Sequence, residues 1–179
     1  MRIAFLTLYL DLGEDTDSGI GRHIRLLADA LAAREHEVHV IFATPDAQRA
    51  RSDLTLLSPR WRWDVVETRL PRWLEASLSA SHRWTIHLLL LYTLLAWKSA
   101  RVVARLHRDR PFDVAETHSY NFPGLFLTLF TRPPVLTRVS TTLRQMLPIN
   151  LVRSRALGRN WDTAVNHSLA AFELTAAAR

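Results

Sequence analysis

The opening of the chain, up to about residue 43, constrains the fold more than any other part. Residues 3–8 are a short apolar run, and an acidic loop follows. Then Ile24, Leu27, Ala28 and Leu31 fall at i, i+3, i+4 and i+7, the spacing of a helix that buries one face. Residues 37–43 read as a second strand, ended by Pro45. A strand, a loop, a helix and a strand in so short a span make a βαβ unit. Such units build parallel sheets with helices on both faces. The expected class is α/β, a Rossmann-like parallel sheet.

The rest of the chain extends this alternation. Residues 46–63 are polar and arginine-rich, with no strong period, and are assigned no element. A third strand is expected at 64–70, closed by Pro71, and a long helix at 81–107 whose first half is apolar all round. Further strands are expected at 112–118 and 135–140, with a short helix at 122–130 between them. Residues 141–160 are ambiguous. A last helix starts near Trp161, with Val165, Leu169, Phe172 and Ala176 on one face. It reaches Arg179 without a stop signal, and the expectation is a natural chain that continues. The 179 residues are read as one domain, 1–179.

Composition narrows the function. The absence of cysteine rules out a disulfide framework, a thiolate metal site and a cysteine nucleophile. The formal charge of +6 favours anionic partners, yet no dense basic run makes nucleic acid the expected one. The stretch from Trp84 to Trp97 is shorter than the ~20 residues a spanning helix needs. The apolar start runs straight into Asp11, Glu14, Asp15 and Asp17, unlike a signal peptide. No transmembrane segment is expected.

In an open α/β sheet, ligands bind outside the carboxyl ends of the strands. Three segments fall there. The first is Asp17-Ser18-Gly19-Ile20-Gly21-Arg22-His23, which opens into the first helix. Glycines let backbone N–H groups approach a ligand, and the helix N-terminus favours an anion such as a phosphate. Equally, Asp17 or Ser18 caps the helix and the glycines only permit a turn. The second is Glu116-Thr117-His118-Ser119-Tyr120-Asn121, where a buried strand turns polar. His118 is either a hydrogen-bond donor to a substrate or a structural histidine. The third carries Arg138, which faces either an anionic acceptor or a carboxylate such as Glu116.

Lys98, Arg101, Arg105 and Arg108 fall on one face of the long helix. They lie beside an apolar run, and Trp61, Trp63 and Trp73 precede them. That combination suits an anionic membrane surface. The alternative is an ordinary solvated face.

Together these segments resemble glycosyltransferase family 4. The start "MRIAFLTLYLDLGEDTDSGIGRHIRLLADALAAREHEVHVIFA" is similar to that family's opening, with Arg34-Glu35-His36-Glu37-Val38 at its "GHEV" turn. "PFDVAETHSYNFPGLF" and "PPVLTRVSTT" resemble its next two strands, and "LAAFELTAAAR" the helix before its second domain. The resemblance implies the N-terminal, acceptor-side half of a two-domain GT-B fold and a retaining transfer from a nucleotide-diphosphate sugar to a hydroxyl. It implies no metal and no cofactor. It maps the donor phosphate contact onto Gly19, Ile20 and Gly21 and places His118 near the transferred sugar. Acceptor contacts are expected from Glu116, Tyr120, Asn121 and Arg138. Two departures stand out: Ser18 replaces the first of the family's paired glycines, and Arg138 and Ser140 occupy a stretch where the family often has histidine.

The family's C-terminal, donor-binding domain is absent from this sequence, so the chain alone is expected to fold without turning over. Self-association through its apolar helices is expected, and a cytoplasmic location, peripheral at the inner membrane face. The rival readings are a sugar-nucleotide epimerase using Glu116 as its acid/base carboxylate, and the non-catalytic half of a split transferase.

Overall fold

The computed structural model describes residues 1–8, 10, 19–57, 59–80, 84–118, 123–127 and 133–138. Five strands and four helices alternate along it: β1 (Arg2–Thr7), α1 (Gly19–Ala32), β2 (Glu37–Thr44), α2 (Ala47–Leu57), β3 (Arg62–Glu67), α3 (Arg72–Ala80), α4 (Trp84–Asp109), β4 (Val114–His118) and β5 (Val135–Arg138). The sheet has the order β3-β2-β1-β4-β5, and every neighbouring pair is parallel. The first strand therefore lies at the centre, and the order reverses between β1 and β4.

Each face of the sheet carries its own core. Ile3, Phe5, Val38, Val40, Phe42 and Val65 point to one side and pack on Ile24 and Ala28 of α1 and Ala50 and Leu54 of α2. Ala4, Leu6, Ile41, Ala43, Val66 and Ala115 point to the other and meet Leu95, Ala100 and Val103 of α4. A strand buried on both faces reads as a continuous apolar run, which is why β1 and β2 were legible as strands.

Two helices are absent from the sequence reading, and one strand is shifted. Helix α2 occupies part of the segment assigned no element. Asp46 caps it, its carboxylate accepting from the Arg49 N–H at 3.2 Å. Among its described side chains only Ala47, Ala50 and Leu54 are buried apolar ones, too sparse to raise a clear period. Helix α3 begins after Pro71, whose carbonyl accepts from the Leu74 and Glu75 N–H groups. The third strand starts two residues earlier than the expected 64–70 and ends at Glu67, three residues earlier. The expected last helix, the ambiguous 141–160 stretch and residues 139–140 lie outside the described residues, as does most of the 122–130 helix. Within it, residues 123–126 make a turn and Leu127 is helical, its N–H bonding the Gly124 carbonyl at 3.0 Å.

Helix α1 stops through a tight cap. The His36 N–H bonds the Leu31 carbonyl, and the Glu35 N–H bonds the Ala32 carbonyl. Glu35 takes the left-handed position, at φ 63°, that glycine usually fills. The amino edge of the sheet is tied shut by polar contacts. Arg2 donates through Nε to Glu37 at 3.1 Å and stacks its guanidinium 4.1 Å over Phe112. Arg110 bonds the other Glu37 oxygen at 2.6 Å, and the Arg2 N–H bonds Asp113 at 2.7 Å. Close by, His39 donates to Asp64 at 2.7 Å from β2 to β3. That hydrogen bond holds the Asp64 carboxyl below the usual carboxylate range.

Candidate functional site

The carboxyl edge of the sheet is built differently. β1 ends at Thr7 and β4 at His118, side by side where the strand order reverses, the position at which doubly wound sheets bind ligands. The register puts Glu116 level with Phe5 and with Leu136, and His118 level with Arg138. Alternation along the strands then sends Thr7, Glu116, His118 and Arg138 to one face of the sheet, the face that α1 covers farther along.

His118 is nearly buried, at 3% exposure. Its Nε2 lies 3.3 Å from the Thr7 hydroxyl and 3.5 Å from the Leu8 N–H. The ring thus joins the ends of β1 and β4 across the crevice. Arg138 donates through Nε to Oε1 of Glu116 at 2.8 Å. Of the two partners open to Arg138 in the sequence, the carboxylate is therefore engaged. The Glu116 side chain is 11% exposed and that of Arg138 is 45% exposed.

The glycine loop enters the site at its last residues. Gly19 is the first residue of α1 and is exposed, and a Cβ placed on it would meet nothing within 4 Å. The neighbours therefore do not demand glycine there for space. Among the described residues, the helix begins at an exposed position. Ile20 is half-buried against the α1 face of the core, and Gly21 is buried. Gly124, after β4, is held for a different reason: a Cβ there would fall 2.5 Å from Cγ2 of Thr117. It lets the chain turn back tightly over β4, and nothing in the sequence signalled that contact.

Asp11 to Ser18, Tyr120 and Asn121 lie outside the described residues. Among the described residues, no three histidine, aspartate or glutamate side chains gather as a metal site.

The basic residues of α4 stand apart from this edge. Lys98, Arg101, Arg105 and Arg108 are exposed, on the side of the helix opposite Ala96, Ala100 and Val103. Lys98 donates to the Glu67 carbonyl at 3.2 Å. Trp97, Arg101, Val102, Ala104, Arg105 and Arg108 line a shallow groove of roughly 610 Å³ on this outer side. Of the tryptophans read beside them, Trp61 belongs to the core instead. It is 5% exposed and donates from Nε1 to Asp29 of α1 at 2.9 Å. Trp63 packs partly on the same core, while Trp73 is 73% exposed. No described helix is long and apolar enough to cross a membrane.

The fold is thus a Rossmann-like α/β domain with its candidate site at the switch point of a parallel sheet. The glycosyl transferase 4-like domain family matches residues 18–177, and the chain belongs to that family. The solved glycosyltransferase of kitacinnamycin is similar at 13% identity and a TM-score of 0.50, over 93% of this chain and 38% of that one. CalG4, the calicheamicin glycosyltransferase, is similar at 16% identity and a TM-score of 0.46, over 87% of this chain and 37% of that one. The chain spans less than two fifths of either structure's length. No curated protein matches.

Proposed function

We propose that this chain is the N-terminal, acceptor-side domain of a metal-independent, retaining glycosyltransferase. The full enzyme transfers a sugar from a nucleotide-diphosphate sugar to an acceptor hydroxyl in glycan or glycolipid synthesis. The observation that carries the reading is the convergence of His118, the Glu116–Arg138 pair and the open start of α1 on one face at the switch point. In this reading the first turn of α1, at Gly19 to Gly21, meets the donor phosphate, whose charge its N–H groups and dipole favour. His118 hydrogen-bonds the transferred sugar beside the end of β1. Glu116, Arg138, Tyr120 and Asn121 meet the acceptor.

A second domain supplies the charges that stabilise the leaving diphosphate, so this chain alone does not turn over. The epimerase alternative gains nothing from the geometry, because its only obvious carboxylate, Glu116, faces Arg138. The split-transferase alternative keeps the same site and differs only in how the second domain is encoded. The protein acts in the cytoplasm, with the outer side of α4 against an anionic membrane face. It needs a nucleotide sugar and a hydroxyl acceptor, and neither a metal, a cofactor nor nucleic acid.

The test is donor hydrolysis and transfer over UDP- and GDP-sugars by the complete reading frame, beside a His118→Ala variant. Activity that collapses in a folded variant supports the assignment. Activity unchanged by the substitution returns His118 to the purely structural role its contacts with Thr7 and Leu8 already offer. No consumption of any donor sinks the transferase reading.

A further inference from the structure

The Glu116–Arg138 pair is asymmetric. Its carboxylate is largely enclosed, and its guanidinium is not. A carboxylate taken out of water needs a partner, and Arg138 supplies one through Nε alone among the described residues. The fork of N–H groups on the two terminal nitrogens takes no part in that bond. That fork matches the spacing of oxygens on a carboxylate or a phosphate. Here the carboxylate takes Nε, on an arginine side chain that stays 45% exposed.

The sheet also sets a distance. β5 stands two strands from β1, roughly 10 Å at the usual strand spacing. α1 starts from the β1 side, and β4 with His118 lies between. The edge therefore presents two places that favour an anion, two strand spacings apart. One oxyanion bound at both would have to span that gap. Two separate anions need not.

We infer that Arg138 binds an oxyanion on the acceptor, a phosphate monoester or a carboxylate, and that Glu116 is the residue that positions it. Calling the oxyanion the acceptor's rests on the transferase reading; the oxyanion site itself does not.

The test reads binding rather than turnover. The ¹⁵N-labelled chain is titrated with glycerol 3-phosphate, with glycerate and with glycerol while the Arg138 Nε–Hε resonance is followed. A saturable shift with either anion and none with glycerol is the expected result, and the tighter of the two identifies the group. Arg138→Lys, which keeps the charge and loses the fork, weakens binding roughly 10- to 100-fold, the range for a lost hydrogen bond to a charged group. Glu116→Gln weakens it in the same direction and moves the Arg138 resonance before any ligand is added. The double variant Glu116→Gln/Arg138→Gln leaves no buried charge unpaired, stays folded and loses the site. The inference is overturned by an Arg138 resonance that ignores both anions, by binding that survives in the double variant, or by shifts confined to the amides of Gly19 and Gly21. Any of these leaves the donor-turnover test standing, and loss of donor turnover leaves this titration standing.

Discussion

Replacing Gly124 by alanine tests the packing that brings the chain back over β4. The added Cβ would lie 2.5 Å from Cγ2 of Thr117, 3.2 Å from its Oγ1 and 3.3 Å from its Cβ. Thr117 is 3% exposed and belongs to a central strand, so it has little room to yield. Overpacking of this kind costs about 1–3 kcal/mol. For a domain of this size each kcal/mol lowers Tm by roughly 2–4 °C.

The companion substitution Thr117→Ala removes the two nearest atoms. By itself it is close to neutral. The lost methyl costs about 1 kcal/mol, and the lost hydroxyl, buried without a hydrogen-bond partner among the described residues, returns a similar amount. In the double variant the new methyl occupies the vacated space, so a cycle measured by urea unfolding should give a coupling of about 1–3 kcal/mol in favour of the pair. A Gly124→Ala variant as stable as the parent, or additive single effects, would refute the contact.

Other expectations follow from the same structure. Glu35→Gly should stabilise the chain by about 0.5–1 kcal/mol, the left-handed strain removed less the entropy glycine adds to the unfolded chain; thermal melts would check it, and a lower Tm would contradict the cap. The depressed Asp64 carboxyl contributes stability that is present above the unfolded value near 3.8 and is lost as pH falls through the lower folded value. Asp64→Asn should therefore lie below the parent at neutral pH and converge with it in acid, and parallel unfolding curves down to the lowest pH would exclude the linkage. Trp61→Phe should cost about 1 kcal/mol by leaving Asp29 without its indole donor, measurable by urea denaturation. Replacing Arg101, Arg105 and Arg108 together by glutamine should weaken binding to phosphatidylglycerol vesicles about a hundredfold, at about 1 kcal/mol per basic residue. Equal binding of the triple variant would leave that side of α4 a plain solvated face.

The parallel sheet was legible because its central strands are apolar on both faces, and because α1 repeats Ile24 and Ala28 at helical spacing. The positions of His118 and Arg138 at strand ends were legible too, since polar residues break off apolar runs there. Their partners were not. Sequence leaves Arg138 to choose between an anionic acceptor and Glu116, and only the register of β4 against β5 brings Arg138 and Glu116 within reach. Trp61 misled in the opposite sense. It stands between arginines in the chain, yet Asp29 of α1 satisfies its indole N–H inside the core. Helix α2 hid because Leu54 is buried while Leu56 is exposed, which blurs its period, although Asp46 marked its start.

The central place of β1 also fixes an order of assembly. Its first neighbour arrives early, with Arg2 meeting Glu37 across 35 positions, whereas Thr7 meets His118 only across 111. On a ribosome, β1, β2 and β3 can pair while β4 is still unmade, and one long edge of the most apolar strand stands open in the meantime. Closing the longer loop costs only roughly 1 kcal/mol more than closing the shorter. The burden is therefore one of waiting rather than of equilibrium. A chaperone that covers the β1 edge during synthesis should raise the yield of this domain more than it raises its stability.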